Sequence, residues 1–153
     1  MNGKHAIYRV YQALCAGMLR LFPAGRQMLV QGDGCITKIP ELLKTHGIKA
    51  VQIITTPGTI RRGTIAPLLA HCKDAGIRTV LYTGVSPDPT VAEVEAAAEC
   101  FFVSGCEAIL AIGGGSVIDC AKVAGARAVK RDLPVGKMSG MLKIHKKLPL
   151  LLA

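Results

Sequence analysis

The sequence predicts an α/β fold: a parallel sheet with helices on both faces, preceded by an amphipathic N-terminal helix. Three observations predict it. Short, β-branched apolar runs alternate with longer segments of helical periodicity. The helical segments stop at single glycines, Gly47, Gly76 and Gly105, and a new apolar run starts within a few residues of each. The runs are continuously apolar, as strands covered on both faces should be.

Each element follows from its residues. In 4–22, Ile7, Val10, Tyr11, Leu14, Met18, Leu21 and Phe22 fall at helical spacing, and Pro23 and Gly25 end the segment. This predicts a helical extension over 1–25, docked on its own domain; a membrane-surface helix is the alternative. Residues 27–31 read as a short strand ending at Gly32-Asp33-Gly34. Ile36, Ile39, Leu42 and Leu43 share one face of a helix over 36–46. Strands follow at 50–55, 77–82 and 108–112, with helices at 65–75, 91–103 and 116–130. A last strand begins at 148. Short connections between alternating strands and helices favour parallel pairing.

Composition narrows the class. The chain has 153 residues, half of them apolar, so it can bury the core of one ordinary domain. Mean hydropathy is +0.39, which excludes a disordered chain. The longest stretches without a charge span 11 residues, 50–60 and 108–118, against about 20 needed for a spanning helix, so no transmembrane segment is expected. Net charge is +9, concentrated in 130–147, where six basic residues face Asp132 alone. That basic segment suits a phosphate-bearing ligand, an acidic partner domain, a membrane surface or nucleic acid. Aromatics are only 4% and no nucleic-acid motif is present, so nucleic acid is not the expected partner. The six cysteines have neither CxxC nor zinc-ligand spacing, and no secretory signal precedes them. They read as reduced thiols of a cytoplasmic protein. The four histidines are scattered and read as non-catalytic.

Chemistry concentrates at strand ends. After the strand at 108–112 come Gly113, Gly114 and Gly115, then a helix. Three successive residues without Cβ let a ligand approach the backbone, and the helix supplies unpaired N–H groups and the positive end of its dipole. A phosphate or pyrophosphate fits such a turn, at the sheet edge where open parallel sheets bind ligands. The spacing is neither GxGxxG nor a P-loop. Ser116 and Asp119 have S-x-x-D capping spacing, so Asp119 reads equally as a structural residue at the third helical position and as ligand support. Lys122 reads as a phosphate partner or a solvated charge.

Two further turns leave the same edge. In 83–90, Thr90 and Glu93 form a capping box, Pro87 and Pro89 stiffen the chain, and Asp88 is left to face a ligand. After the strand at 50–55, Thr55 and Thr56 stand where dinucleotide sites often carry a ribose-binding carboxylate. Their neutrality, with Arg61 and Arg62 following, tilts toward NADP, although an ordinary turn with solvated arginines accounts for the same residues.

These residues together resemble a known family. Gly113-Gly114-Gly115-Ser116-Val117-Ile118-Asp119-Cys120-Ala121-Lys122 resembles the GGGSxxDxxK signature of the iron-containing (metal-dependent, group III) alcohol dehydrogenases. Residues 86–90 resemble that family's PNPT stretch, 32–34 its G-x-G turn and 55–58 its T-D-x-G turn, in the same order and spacing. The resemblance runs from 26 to 153. It implies a Rossmann-like NAD(P)-binding domain followed by a helical domain that holds iron or zinc through one Asp and three His. It also implies hydride transfer between a small alcohol or aldehyde and the nicotinamide, with the metal polarising the alcohol oxygen. Pyrophosphate contacts are implied at Gly113, Gly114, Gly115 and Ser116, with Asp119 and Lys122 matching the signature. Thr56 replaces the family's ribose-binding Asp, and Asp88 stands where Asn is common, near the substrate cleft. Family subunits are more than twice this length, and none of their metal ligands or catalytic groups is found here. The expectation is therefore a nucleotide-binding domain truncated before its metal domain, without turnover by itself. Dimerisation through the N-terminal strand is common in that family, which leaves a homodimer open. A non-catalytic dinucleotide-binding module, or a relative of glycerol dehydrogenase or dehydroquinate synthase, is the alternative.

Overall fold

The computed structural model describes residues 9 and 32–138, and the backbone of 151 and 152. The helix expected over 4–22 (Arg9 apart, which is helical) and the strand expected over 27–31 lie outside the described residues. The chain divides into two compact units, Met1–Gly32 and Asp33–Ala153. The second unit holds the sheet and its helices.

A 3₁₀ turn, Cys35–Lys38, leads into α1, Ile39–Thr45. Strand β1 is Ala50–Thr55. Two helices follow, α2 at Pro57–Arg61 and α3 at Ala66–Asp74, then β2 at Arg78–Tyr82. Helix α4 is Val91–Val103, β3 is Ala108–Ile112 and α5 is Gly115–Val129. A 3₁₀ turn at Val135–Lys137 and strand β4, Leu151–Leu152, complete the described elements.

The helix-to-strand joints share one local cause. Gly47, Gly76 and Gly105 all adopt left-handed backbone, with φ of 71°, 71° and 61°. At each, the glycine N–H and the next N–H bond back to helical carbonyls: Ile48 to Leu43, Ile77 to Cys72 and Cys106 to Phe101. This is the Schellman stop, in which an apolar residue after the glycine meets one in the last turn. It turns each helix directly into the next strand.

The strands are parallel in the order β2-β1-β3-β4. The connection from β1 leads to β2 on one side, and the connection from β2 crosses to β3 on the other. Successive side chains of a strand face opposite layers. Val51, Ile53, Ala108 and Leu110 pack with Leu43 of α1 and with Leu68 and Cys72 of α3. Ala50, Ile54, Ile109 and Ala111 pack with α4 and α5, where Ala97, Ala98, Ala121 and Ala124 are fully buried. Small residues on both helices let the two approach closely, an aliphatic solution to a core with few aromatics. The fold is thus the three-layer α/β arrangement expected.

β2 departs from the continuous burial expected of it. Arg78 and Leu81 are exposed, because β2 stands at the end of the strand order. Gln52, in the centre of the sheet, is fully buried and donates from Nε2 to the Ala97 carbonyl of α4 (2.9 Å). Its Oε1 has no hydrogen-bond partner among the described residues. At the opposite edge from the glycine turn, Glu107 accepts from Lys49 and Ala50 N–H groups (2.6 and 3.2 Å), which fixes the start of β1 beside β3. Those backbone donors hold its carboxyl below the ordinary value.

The capping box at the head of α4 forms as expected. Thr90 Oγ1 accepts from Glu93 N–H, and Glu93 Oε2 accepts from Thr90 N–H at 2.7 Å. Ser86 Oγ adds a third donor at 3.1 Å, tying the proline turn to the helix. The Thr90 N–H and Ser86 hydroxyl hold the Glu93 carboxyl below its ordinary value of 4.5. A group with a depressed folded value stabilises above its unfolded value, and that stability is lost as pH falls through the folded one. Denaturant midpoints measured from about pH 7 to about pH 3 should therefore fall less steeply in Glu93→Gln than in wild type, the difference opening below pH 4.5.

Candidate functional site

The chain adds β2 on one side of β1 and β3 on the other, so the winding reverses between β1 and β3. Register places Thr55 beside Ile112, so both strands end at the same level. Thr55 Oγ1 donates to the Ile112 carbonyl at 2.7 Å and locks the two ends together. Open parallel sheets bind ligands in the crevice outside such a switch point.

Gly113 and Gly114 alone separate β3 from α5. This corrects the S-x-x-D reading of the sequence. The N-cap is Gly114, not Ser116, and it offers no side-chain hydrogen bond. Ser116 lies inside the first turn, and Asp119 falls at the fifth helical position rather than the third. The cause is the shortness of the turn: Gly114 enters extended backbone at φ −81° and ψ −171°, and Gly115 already joins the helix. The first turn carries no acidic residue, and the N–H groups of Gly115 and Ser116 have no side-chain acceptor among the described residues.

The three glycines have different reasons. A Cβ on Gly113 would lie 2.7 Å from Val117 Cγ2, so this glycine is required by the packing of turn on helix. Cβ atoms on Gly114 or Gly115 would meet nothing within 4 Å. Neither has left-handed backbone. Their lack of side chains serves no contact within the described protein and leaves open space in front of the helix N-terminus.

Asp119 and Lys122 form an exposed pair, 3.5 Å apart, on α5. Asp119 also lines a groove of about 340 Å³ with Asp88, Pro89, Val94, Cys120 and Val123. The fold therefore brings Asp88 and Asp119 to one groove, a proximity absent from the sequence reading. Asp88 has φ 55°, a conformation that few residues besides Gly, Asn and Asp tolerate. That backbone requirement is sufficient reason for an Asn or Asp between the prolines. Cys120 sits on the groove floor, where burial, then the Glu93 charge, pushes its thiol up to about 11. It is an uncharged wall at neutral pH. The five described cysteines are all free thiols.

Thr56 follows β1, on the strand beside the glycine turn. It caps α2, accepting from Thr59 N–H, with Pro57 at the first helical position. The sequence reads as a plain turn here, although Thr followed by Pro is itself a helix-start signal. His46 and His71 each donate Nδ1–H to a carbonyl four residues earlier on the helix.

A doubly wound parallel sheet with a bare glycine turn at its switch point belongs to the class of α/β domains that bind ligands beyond the carboxyl ends of their strands. Comparison with known proteins narrows that class. The family profile "Iron-containing alcohol dehydrogenase" matches residues 27–153. Alcohol dehydrogenase 4 of Schizosaccharomyces pombe is 37% identical over 91 residues, covering 60% of this chain and 22% of that protein. The 1,3-propanediol dehydrogenase of Citrobacter freundii is 34% identical over 99 residues, covering 63% of this chain and 26% of that one. The crystal structure of the NADH-dependent butanol dehydrogenase A from Thermotoga maritima superposes with a TM-score of 0.68 at 31% identity, over 82% of this chain and 33% of that one. The chain belongs to the iron-containing alcohol dehydrogenase family. It spans about a quarter of the length of these two curated relatives. Among the described residues, no group of three or more His, Cys, Asp or Glu is placed to hold a metal.

The glycine geometry separates folding from ligand space. Gly113→Ala should destabilise the domain by about 1–3 kcal/mol through overpacking on Val117. Gly114→Val should cost no more than about 1 kcal/mol, the difference between cap residues. Urea unfolding of both variants measures the contrast.

Proposed function

We propose that residues 26–153 bind NAD or NADP for an alcohol dehydrogenase that moves hydride between a small alcohol or aldehyde and the nicotinamide, with residues 1–25 as a helical extension. The observation that carries this reading is the bare N-terminus of α5 behind Gly114 and Gly115, at the switch point of the sheet. Open space in front of two glycines, facing unpaired N–H groups, has the shape and polarity of a pyrophosphate site.

In this reading Gly113 holds the turn against Val117, while Gly114 and Gly115 let the pyrophosphate reach the backbone. The N–H groups of Gly115 and Ser116 donate to it. Lys122 lies one to two turns further along α5 and adds positive charge, with Asp119 orienting it through their ion pair. Thr56 lies under the adenosine ribose, one strand away. Asp88 borders the groove by which substrate approaches. The nicotinamide, when bound, supplies the hydride acceptor or donor. The family's iron or zinc is the divalent metal of the whole enzyme, and cytoplasmic residence and a homodimer complete the reading. No described helix is long and apolar enough to cross a membrane.

Calorimetric titration with ADP-ribose tests the pyrophosphate assignment without depending on turnover. Wild-type chain should bind it, and Gly114→Val, while still folded by circular dichroism, should lose at least about tenfold in affinity. Equal affinity in the two proteins would sink the assignment.

A further inference from the structure

Arg61 and Arg62 stand at the end of α2, the helix that Thr56 caps. Both are exposed, and both side chains fold back toward the start of that helix. A Cβ built on Gly58 would lie 3.4 Å from Arg62 Nη1, 4.0 Å from Arg61 Nη2 and 3.8 Å from Thr56 Oγ1. Arg62 Nη2 donates to Thr59 Oγ1 at 3.2 Å, and that hydroxyl lies 3.0 Å from Thr56 Oγ1. The ion pairs among the described residues are Lys122 with Asp119 and Arg127 with Glu95, so neither Arg61 nor Arg62 meets a carboxylate there. Two exposed guanidiniums thus converge over half-buried Gly58 and Thr56, with the buried Thr59 hydroxyl bonded beneath them, and no carboxylate of the described residues pairs with them.

Like charges drawn together repel, and a multiply charged anion between them reverses the sign of that interaction. Arginine is suited to phosphate, since its planar fork donates two parallel hydrogen bonds to phosphate oxygens. The position in the fold says which phosphate. Thr56 is the first residue after β1, and β1 is the neighbour of the strand that carries the glycine turn. A dinucleotide with its pyrophosphate on that turn sets its adenosine ribose beside the end of the next strand. A carboxylate there bonds the ribose hydroxyls and repels a 2′-phosphate. Thr56 is neutral, and its hydroxyl is occupied in capping α2.

We propose that Arg61 and Arg62, converging over Gly58 beside Thr56, form a 2′-phosphate site that makes this chain select NADP(H) over NAD(H). The proposal rests on the dinucleotide reading of the glycine turn and adds the cofactor class.

The test is calorimetric titration of the 153-residue chain with NADP⁺, NAD⁺, adenosine 2′,5′-bisphosphate and 5′-AMP. NADP⁺ should bind at least about tenfold tighter than NAD⁺, and the bisphosphate should exceed 5′-AMP by a similar factor. In Arg61→Gln/Arg62→Gln, both ratios should fall to about one. Both arginines are exposed, so circular dichroism should report a folded variant. Wild type binding NAD⁺ as tightly as NADP⁺ would overturn the proposal, as would a double variant that keeps the wild-type ratios. If none of the four ligands binds, the dinucleotide reading itself fails, which is a separate result from binding without preference.

Discussion

The alignment of β1 with β3 is the constraint on which the rest depends. These two strands form the buried centre of the sheet, and their register brings Thr55 level with Ile112. The Thr55 hydroxyl closes that level with a bond to the Ile112 carbonyl. Shifting a strand by one residue would exchange its two faces, moving Val51 and Ile53 from the α1/α3 layer to the α4/α5 layer. Because the register is held by burial on both faces, the turns that follow the two strands must emerge side by side. The glycine turn and the Thr56 cap therefore leave adjacent strand ends at one level, although 57 positions separate Thr56 from Gly113 in the chain.

Local chemistry explains what is legible in the sequence. The bounds of β1, β3 and α4 agree with the sequence reading to the residue, because caps and stops that act within five or six residues define them. Thr90 and Glu93 start α4, and Gly105 ends it. The head of α5 departs from its sequence reading for the complementary reason. Ser116 and Asp119 have the spacing of a cap, but a turn of two residues leaves the helix already formed at Gly115. Tertiary geometry prevails over a weak local signal. Helix α2 escapes sequence reading since its five residues are too few to show periodicity. The meeting of Asp88 with Asp119 in one groove is illegible for a third reason, as it depends on α4 and α5 packing through small residues.

The basic balance of the chain takes on more definite meaning. Basic residues in and just before the C-terminal excess are engaged within the fold. Arg127 pairs with Glu95 at 3.0 Å, and Glu95 also accepts from Val135 N–H, which fastens the segment after α5 to α4. Arg131 stacks over Phe102 at 4.5 Å from the ring centre. Arg61 and Arg62 differ, since neither pairs with a carboxylate among the described residues and Arg62 donates to the Thr59 hydroxyl instead. Among the described residues, cations that hold the chain's own segments thus stand apart from the two arginines that follow β1. That division agrees with a phosphate-bearing small ligand more closely than with the long phosphate track of a nucleic acid.

Ligand binding, in the proposed reading, is concentrated where β1 and β3 end. Backbone amide shifts of isotopically labelled chain, followed by NMR during titration with NADP⁺, test it most directly. The largest changes are expected at Gly114, Gly115, Ser116 and Thr56, with little change at Glu107 and Lys49 on the opposite edge. Changes confined to the groove between Asp88 and Cys120, with the glycine turn silent, would contradict it.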